Sequence, residues 1–88
     1  MTINETTNCS VRFYAGAAEA AGADAVTVEL PAGSSLADLV NRLGADDQRL
    51  AEVLGVCTLL LEGQAAPSHT VLPEGPAAVD VLPPFAGG

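Results

Sequence analysis

The stretch LPPFAGG, Leu82 to Gly88, gathers two prolines and two glycines behind an apolar run. Pro83 and Pro84 restrict their own φ and bias Leu82 and Pro83 toward extended geometry, so the chain must leave the preceding residues directed outward. From Pro83 to Gly88 it reaches at most about 20 Å. Gly87 and Gly88 carry no side chain and suit a channel too narrow for a Cβ. The expected reactive group is the carboxylate of Gly88, with Pro83, Pro84, Phe85, Ala86 and Gly87 as the tail that a partner would hold. A carboxylate is a poor electrophile. Converted to an acyl-adenylate by a nucleotide-dependent enzyme, it becomes open to attack by sulfide or an amine.

Elsewhere the residue types argue against self-contained catalysis. His69 is the sole histidine and has no convergent acid or cysteine in the pattern, so it makes neither a triad nor a metal site. It is expected on the surface, and no metal site is expected at all. The glycines form neither a dinucleotide fingerprint nor a P-loop. Cys9 and Cys57 lack metal or redox spacing and read as small core hydrophobes. Apolar neighbours should hide Cys57 and raise its pKa. Asp46 and Asp47 read as a helix start, where negative charge suits the dipole.

Charge narrows the partners. Eleven acidic residues face three arginines, Arg12, Arg42 and Arg49, for a net charge of −8 and no lysine. Such a chain does not suit nucleic acid, whose phosphates demand basic patches, and favours a partner with a basic docking face. With no ε-amine, the chain has no lysine side chain to attack the activated Gly88 of another copy. No run approaches the roughly 18–20 apolar residues of a membrane span. The opening MTINETTNCS lacks a basic and an apolar signal region, so a cytoplasmic location is expected, and the sequon-like NET and NCS carry no weight.

The elements that must position the tail follow from periodicity. CSVRFYA, Cys9 to Ala15, alternates with Cys9, Val11 and Phe13 on one face, which predicts a half-buried strand. Gly16 and Gly22 bracket one or two alanine-rich helical turns. AVTVEL, Ala25 to Leu30, predicts a second strand with Val26, Val28 and Leu30 inward. Ser34 or Ser35 offers an N-cap with Asp38 behind it, and Leu36, Leu39, Val40 and Leu43 form one helical stripe closed by a left-handed Gly44. Leu50, Val53 and Leu54 predict a shorter helix from Asp46 or Asp47 to Gly55. VCTLLL, Val56 to Leu61, predicts a strand covered on part of both faces. Glu62 and Gly63 make a tight turn into a short return strand, residues 67–76 form a loop, and Ala77 to Leu82 predicts the last strand, with Val79 and Val81 on one face and Asp80 and Leu82 on the other. One domain spans 1–88, with 1–8 flexible and 83–88 an extended functional tail. The economical arrangement is α+β, a mixed sheet with one main helix packed on one face.

On these residues the chain resembles the small sulfur-carrier proteins of the MoaD/ThiS type, which have the ubiquitin-like β-grasp fold, and above all the small subunit of molybdopterin synthase. VRFYA, VELPAGSSLADLVNRL, LLLEGQ and the closing VDVLPPFAGG carry the likeness, with P-P-x-x-G-G the most specific piece. The family often has Gly-Asp before its last strand, where this chain has Gly75-Pro76, and an asparagine at the third-strand turn, where Glu62 stands. The resemblance implies that an E1-like adenylating enzyme activates Gly88 with ATP and that a sulfurtransferase or other sulfur donor converts it to a thiocarboxylate. It implies that the molybdopterin synthase large subunit then accepts Pro83 to Gly88, where sulfur passes to a pterin precursor. The carrier itself would bind no cofactor. In a β-grasp sheet the first and last strands are adjacent and parallel, so Tyr14 and Leu82 should neighbour each other on the helix-free face as a partner interface. Carriers for thiamin, cysteine or tRNA thiolation, ubiquitin-like modifiers and non-covalent binding modules share the outline.

Overall fold

The computed structural model describes residues 6–84, and Phe85, Ala86, Gly87 and Gly88 lie outside the described residues. Among those described, the order is β1 (Thr6–Phe13), α1 (Gly16–Ala21), β2 (Ala25–Pro31), α2 (Leu36–Gly44), α3 (Gln48–Leu54), β3 (Thr58–Leu61), β4 (Gln64–Ala65) and β5 (Gly75–Leu82). The strands form one five-stranded mixed sheet in the order β2-β1-β5-β3-β4. β1 and β5 run parallel at its centre, from Thr7 opposite Gly75 to Phe13 opposite Val81, and the remaining pairs are antiparallel. This is the α+β architecture of a β-grasp domain.

Alternation decides which face of the sheet is covered. Cys9, Val11 and Phe13 of β1 and Ala77, Val79 and Val81 of β5 are buried against Leu36 and Leu39 of α2 and Leu50 and Leu54 of α3. Their intervening neighbours face the other side, which no described helix covers. β1 starts at Thr6, ahead of the predicted Cys9, so Thr6–Asn8 belong to the sheet rather than to a flexible lead. The reason is Thr7, a polar residue in an inward position. Its hydroxyl lies 2.8 Å from the carbonyls of both Pro73 and Gly75, which offsets its desolvation.

The main helix is anchored through its N-terminus. Ser35 caps it, with its hydroxyl accepting from Asp38 N–H and the Asp38 carboxylate accepting from Ser35 N–H, a complete capping box. The next two amides, of Leu36 and Ala37, donate to the carbonyls of Thr70 and Ser68 at 2.9 and 2.8 Å. The orphan donors of the first turn thus all find partners. The predicted loop therefore straps α2 to β5, and Leu72 within it is buried in the core. Its C-terminal end is shorter than predicted, because Gly75 and Pro76 already belong to β5. Pro76 is tolerated there since the β3 ladder starts only at Val79, leaving no neighbour on that side in need of its missing N–H.

Two further expectations change. The strand after α3 begins at Thr58, because the Val56 and Cys57 amides donate to Val53 and Leu54 carbonyls at the end of α3, and Val56 is left exposed. Gly44 is not a left-handed cap: it is the last residue of α2, followed by a right-handed Ala45. What demands glycine is the approach of α3, since a Cβ at 44 would lie 2.7 Å from Ala51 Cβ. In an open helix, glycine to alanine stabilises by about 1 kcal/mol. Here Gly44→Ala is expected to destabilise by roughly 1–2 kcal/mol, and Ala51→Gly should cost less in that background than alone, as read by denaturant unfolding of the two single variants and the double variant.

Candidate functional site

β5 carries the tail, and its place in the sheet determines how firmly the tail is rooted. Its end is held on both sides: Leu82 pairs with Thr58 of β3, and Tyr14 N–H donates to the Val81 carbonyl at 3.2 Å. Pro83 follows half-buried and Pro84 exposed, so the ladder stops and the chain departs beside Tyr14. Pro83 and Pro84 are therefore where the spacing predicted them, at the exit from the central strand. The rest of the predicted tail lies outside the described residues.

The turn between β3 and β4 fastens β5 from another direction. Glu62 and Gly63 both have positive φ, at 51° and 85°, as a type I′ turn requires. Asparagine tolerates this geometry better than glutamate. Glu62 offsets its strain by contact. Its N–H donates to the Ala78 carbonyl at 2.8 Å, and its carboxylate accepts from the Ala78 N–H. Ala78 lies beyond the last β3–β5 ladder pair, so this side chain takes the place of a strand partner.

Tyr14 and Leu82 share the helix-free face, as the β1–β5 register demands. Tyr14 is 38% exposed and Leu82 half-buried. The Tyr14 hydroxyl reaches Asp80 Oδ1 at 3.4 Å, a long contact that lays the ring over the sheet. Leu60 joins them, and the sequence pattern did not single it out. It pairs with Asp80 and so points to the same open side, whereas Leu59 and Leu61 pack on the core. The missed signal is period two within an unbroken leucine triplet: the middle residue must face away from its neighbours. Tyr14, Leu60 and Leu82 thus form an apolar surface at the tail exit, with Arg12 and Asp80 set among them.

An open cleft of about 500 Å³ lies beside Tyr14, between Arg12, Ala15, Ala18 and Asp24. Ala15 holds φ 51° and ψ −125°, and Tyr14 C=O accepts from Ala17 N–H at 3.0 Å. That is the first central position of a type II′ turn, where glycine belongs. The glycine of this sequence stands one position later, at 16.

Cys9 is fully buried and the Cys57 thiol donates to the Val53 carbonyl at 3.1 Å. Burial pushes both thiols above their ordinary range, so neither is a ready nucleophile near neutral pH. His69 is exposed in the strap. Asp47, rather than Asp46, caps α3 by accepting from Leu50 N–H at 3.0 Å. Among the described residues no group of histidine, cysteine and carboxylate side chains could hold a metal ion, and no helix is long and apolar enough to cross a membrane.

The ThiS family profile matches residues 11–88, the whole chain apart from its first ten residues. Solved structures share the fold. A Pyrococcus furiosus protein described as molybdopterin converting factor subunit 1 superposes with a TM-score of 0.79 at 22% identity, covering 90% of this chain and 99% of its own. The small archaeal modifier protein 1 of Haloferax volcanii superposes with a TM-score of 0.78 at 21% identity, over 90% and 99% of the two chains. A ubiquitin-like protein of Trypanosoma brucei gives 0.64 at 13% identity, over 93% and 99%. The arrangement is that of the ThiS/MoaD-like, ubiquitin-like sulfur carriers.

The turn at Ala15 generates a stability test next to the tail exit. Ala15→Gly is expected to stabilise the fold by about 1 kcal/mol, because relief of strain outweighs the added flexibility of the unfolded chain. Thermal unfolding of the variant beside the parent chain reads this directly.

Proposed function

The chain belongs to the ThiS family, and from that premise we propose that it is the sulfur carrier of molybdopterin synthesis, working through the Gly88 carboxylate. In this reading an E1-like enzyme brings ATP to Gly88. The carboxylate oxygen attacks the α-phosphorus and pyrophosphate leaves. Hydrosulfide released by a sulfur donor then attacks the acyl carbon, AMP departs, and a thiocarboxylate remains. The tail from Pro83 to Gly88 enters the large subunit of molybdopterin synthase, where sulfur passes to the pterin precursor and water attacks the acyl carbon to regenerate the carboxylate. The chain is not catalytic alone, and ATP is consumed by its partner.

The observation that carries this reading is the family match reaching through PPFAGG, on a chain whose central strand is held up to Leu82 and released at Pro83. The neighbour described as molybdopterin converting factor subunit 1 supports the pterin branch. The neighbour named small archaeal modifier protein 1 favours a second reading, in which the same adenylate is attacked by an amine of a target protein. The two readings share activation and differ in the nucleophile.

Intact mass after incubation with the host's E1-like enzyme, ATP and a sulfur donor separates them. The expected result is exchange of one oxygen for sulfur, placed on Gly88 by fragmentation and absent without ATP. An unmodified Gly88 with a demonstrably active enzyme overturns the carrier reading, and ATP-dependent conjugates lost on deleting Gly87 and Gly88 establish the modifier.

The apolar surface beside the exit is proposed to dock the activating enzyme and the synthase. Tyr14→Asp, Leu60→Asp and Leu82→Asp are each expected to fold and to weaken partner binding by about tenfold or more, as desolvated anchors do. Unchanged affinity in calorimetry would remove this surface from the interface.

A further inference from the structure

Among the described residues, the outer edge of β2 is a place where backbone groups have no strand partners. Its pairing with β1 shows which groups these are. Phe13 N–H donates to the Asp24 carbonyl at 2.9 Å, so Phe13 and Asp24 are a hydrogen-bonded pair. In an antiparallel ladder such pairs alternate with pairs that share no bonds. With Val11 opposite Val26 and Cys9 opposite Val28, the amides of Val26, Val28 and Leu30 turn toward β1. Those of Ala25, Thr27 and Glu29 therefore turn outward. Three N–H and three C=O groups line the free edge, which ends at Pro31, whose carbonyl accepts from the Ser34 N–H and hydroxyl at 3.1 and 2.7 Å.

Natural sheets usually blunt such an edge with charged side chains, lysine above all, a bulge, an internal proline or a very short strand. Of these β2 has only the acidic Glu29. The chain has no lysine, the register runs through seven consecutive pairs, and the strand's proline is its last residue. β4, at the opposite edge, is two residues long. On the helix side Val26 and Val28 pack against the core yet stay half-buried, because no strand lies outside them. Thr27 and Glu29 are exposed on the other side.

We propose that the free edge of β2 is a docking site that takes an extended, basic segment of a partner protein by strand addition. Charge selects this occupant. Asp24 and Glu29 flank the edge, β2 carries no basic residue, and the molecule bears a net −8. A second copy would bring its own Asp24, Glu29 and −8 to the same place. The incoming strand alternates: apolar side chains cover Val26 and Val28, and lysine or arginine lies beside Thr27 and Glu29. Main-chain bonds supply affinity and the alternation supplies specificity. This site is separate from the surface of Tyr14, Leu60 and Leu82, and it stands whether or not Gly88 is activated.

The probe is an acetylated, amidated peptide of alternating lysine and valine, seven residues long, with a glutamate–valine peptide as control. On titration followed by NMR, amide exchange of Ala25, Thr27 and Glu29 is expected to slow at least tenfold, while Val26 and Val28, already bonded to β1, change little. Thr27→Pro removes the central outward donor and should abolish binding. If that variant does not fold, Glu29→Lys serves instead. It leaves the backbone intact and should weaken binding about fivefold or more, with the effect reduced at high salt. Equal binding of the glutamate–valine peptide, perturbation at Tyr14, Leu60 and Leu82 instead of β2, absence of saturable binding, or a dimer joined through β2 in sedimentation would each overturn the proposal.

Discussion

The parallel pairing of β1 with β5 is the constraint on which the rest of the structure depends. It joins the first strand to the last, with Thr7 opposite Gly75 and Phe13 opposite Val81. Parallel neighbours need a long crossover between them, and here everything from α1 to the strap serves as that connection. Because β5 lies between β1 and β3, its end is gripped from both sides until Leu82. The point at which the chain leaves the sheet is therefore set by central pairing, not by a fraying edge. A tail that must reach into another protein gains from such a root, since less freedom is lost on docking.

The same pairing sorts the side chains into two faces with different work. Cys9, Val11, Phe13, Ala77, Val79 and Val81 turn toward the helices and form the core with Leu36, Leu39, Leu50, Leu54 and Leu72. No helix among the described residues covers the residues between them, so Tyr14, Leu60 and Leu82 remain available near the exit. Stability and recognition thus use alternate residues of the same strands. A polar substitution on the open face should leave the core intact, which is why the two roles can be separated by mutation.

Much of this was legible in the sequence wherever a single period governed a segment. The stripe of Leu36, Leu39, Val40 and Leu43 and the pairing of Ser35 with Asp38 marked α2 correctly, and alternation marked β2 and β5. Tyr14 and Leu82 as open-face neighbours followed from strand order. What stayed hidden depended on distant partners. Thr7 looks like a solvent residue until the carbonyls of Pro73 and Gly75 are placed beside its hydroxyl. Gly44 looks like a helix stop until Ala51 is seen against it. The strap looks like loose loop because its role, closing the amides of Leu36 and Ala37, lies in its backbone rather than in any side chain. Leu60 was obscured by apolar neighbours on both sides, and Val56 and Cys57 by helix-end bonds that apolar patterning does not encode.

The central claim, that a firmly rooted tail presents an activatable carboxylate at Gly88, is tested most directly by ATP–pyrophosphate exchange with the E1-like enzyme. Exchange measures formation of the acyl-adenylate without reference to the sulfur source or the eventual acceptor. The expected result is exchange that depends on the chain and vanishes when Gly87 and Gly88 are removed, although the truncated protein keeps its fold. Exchange of equal rate with the truncated chain would contradict the account.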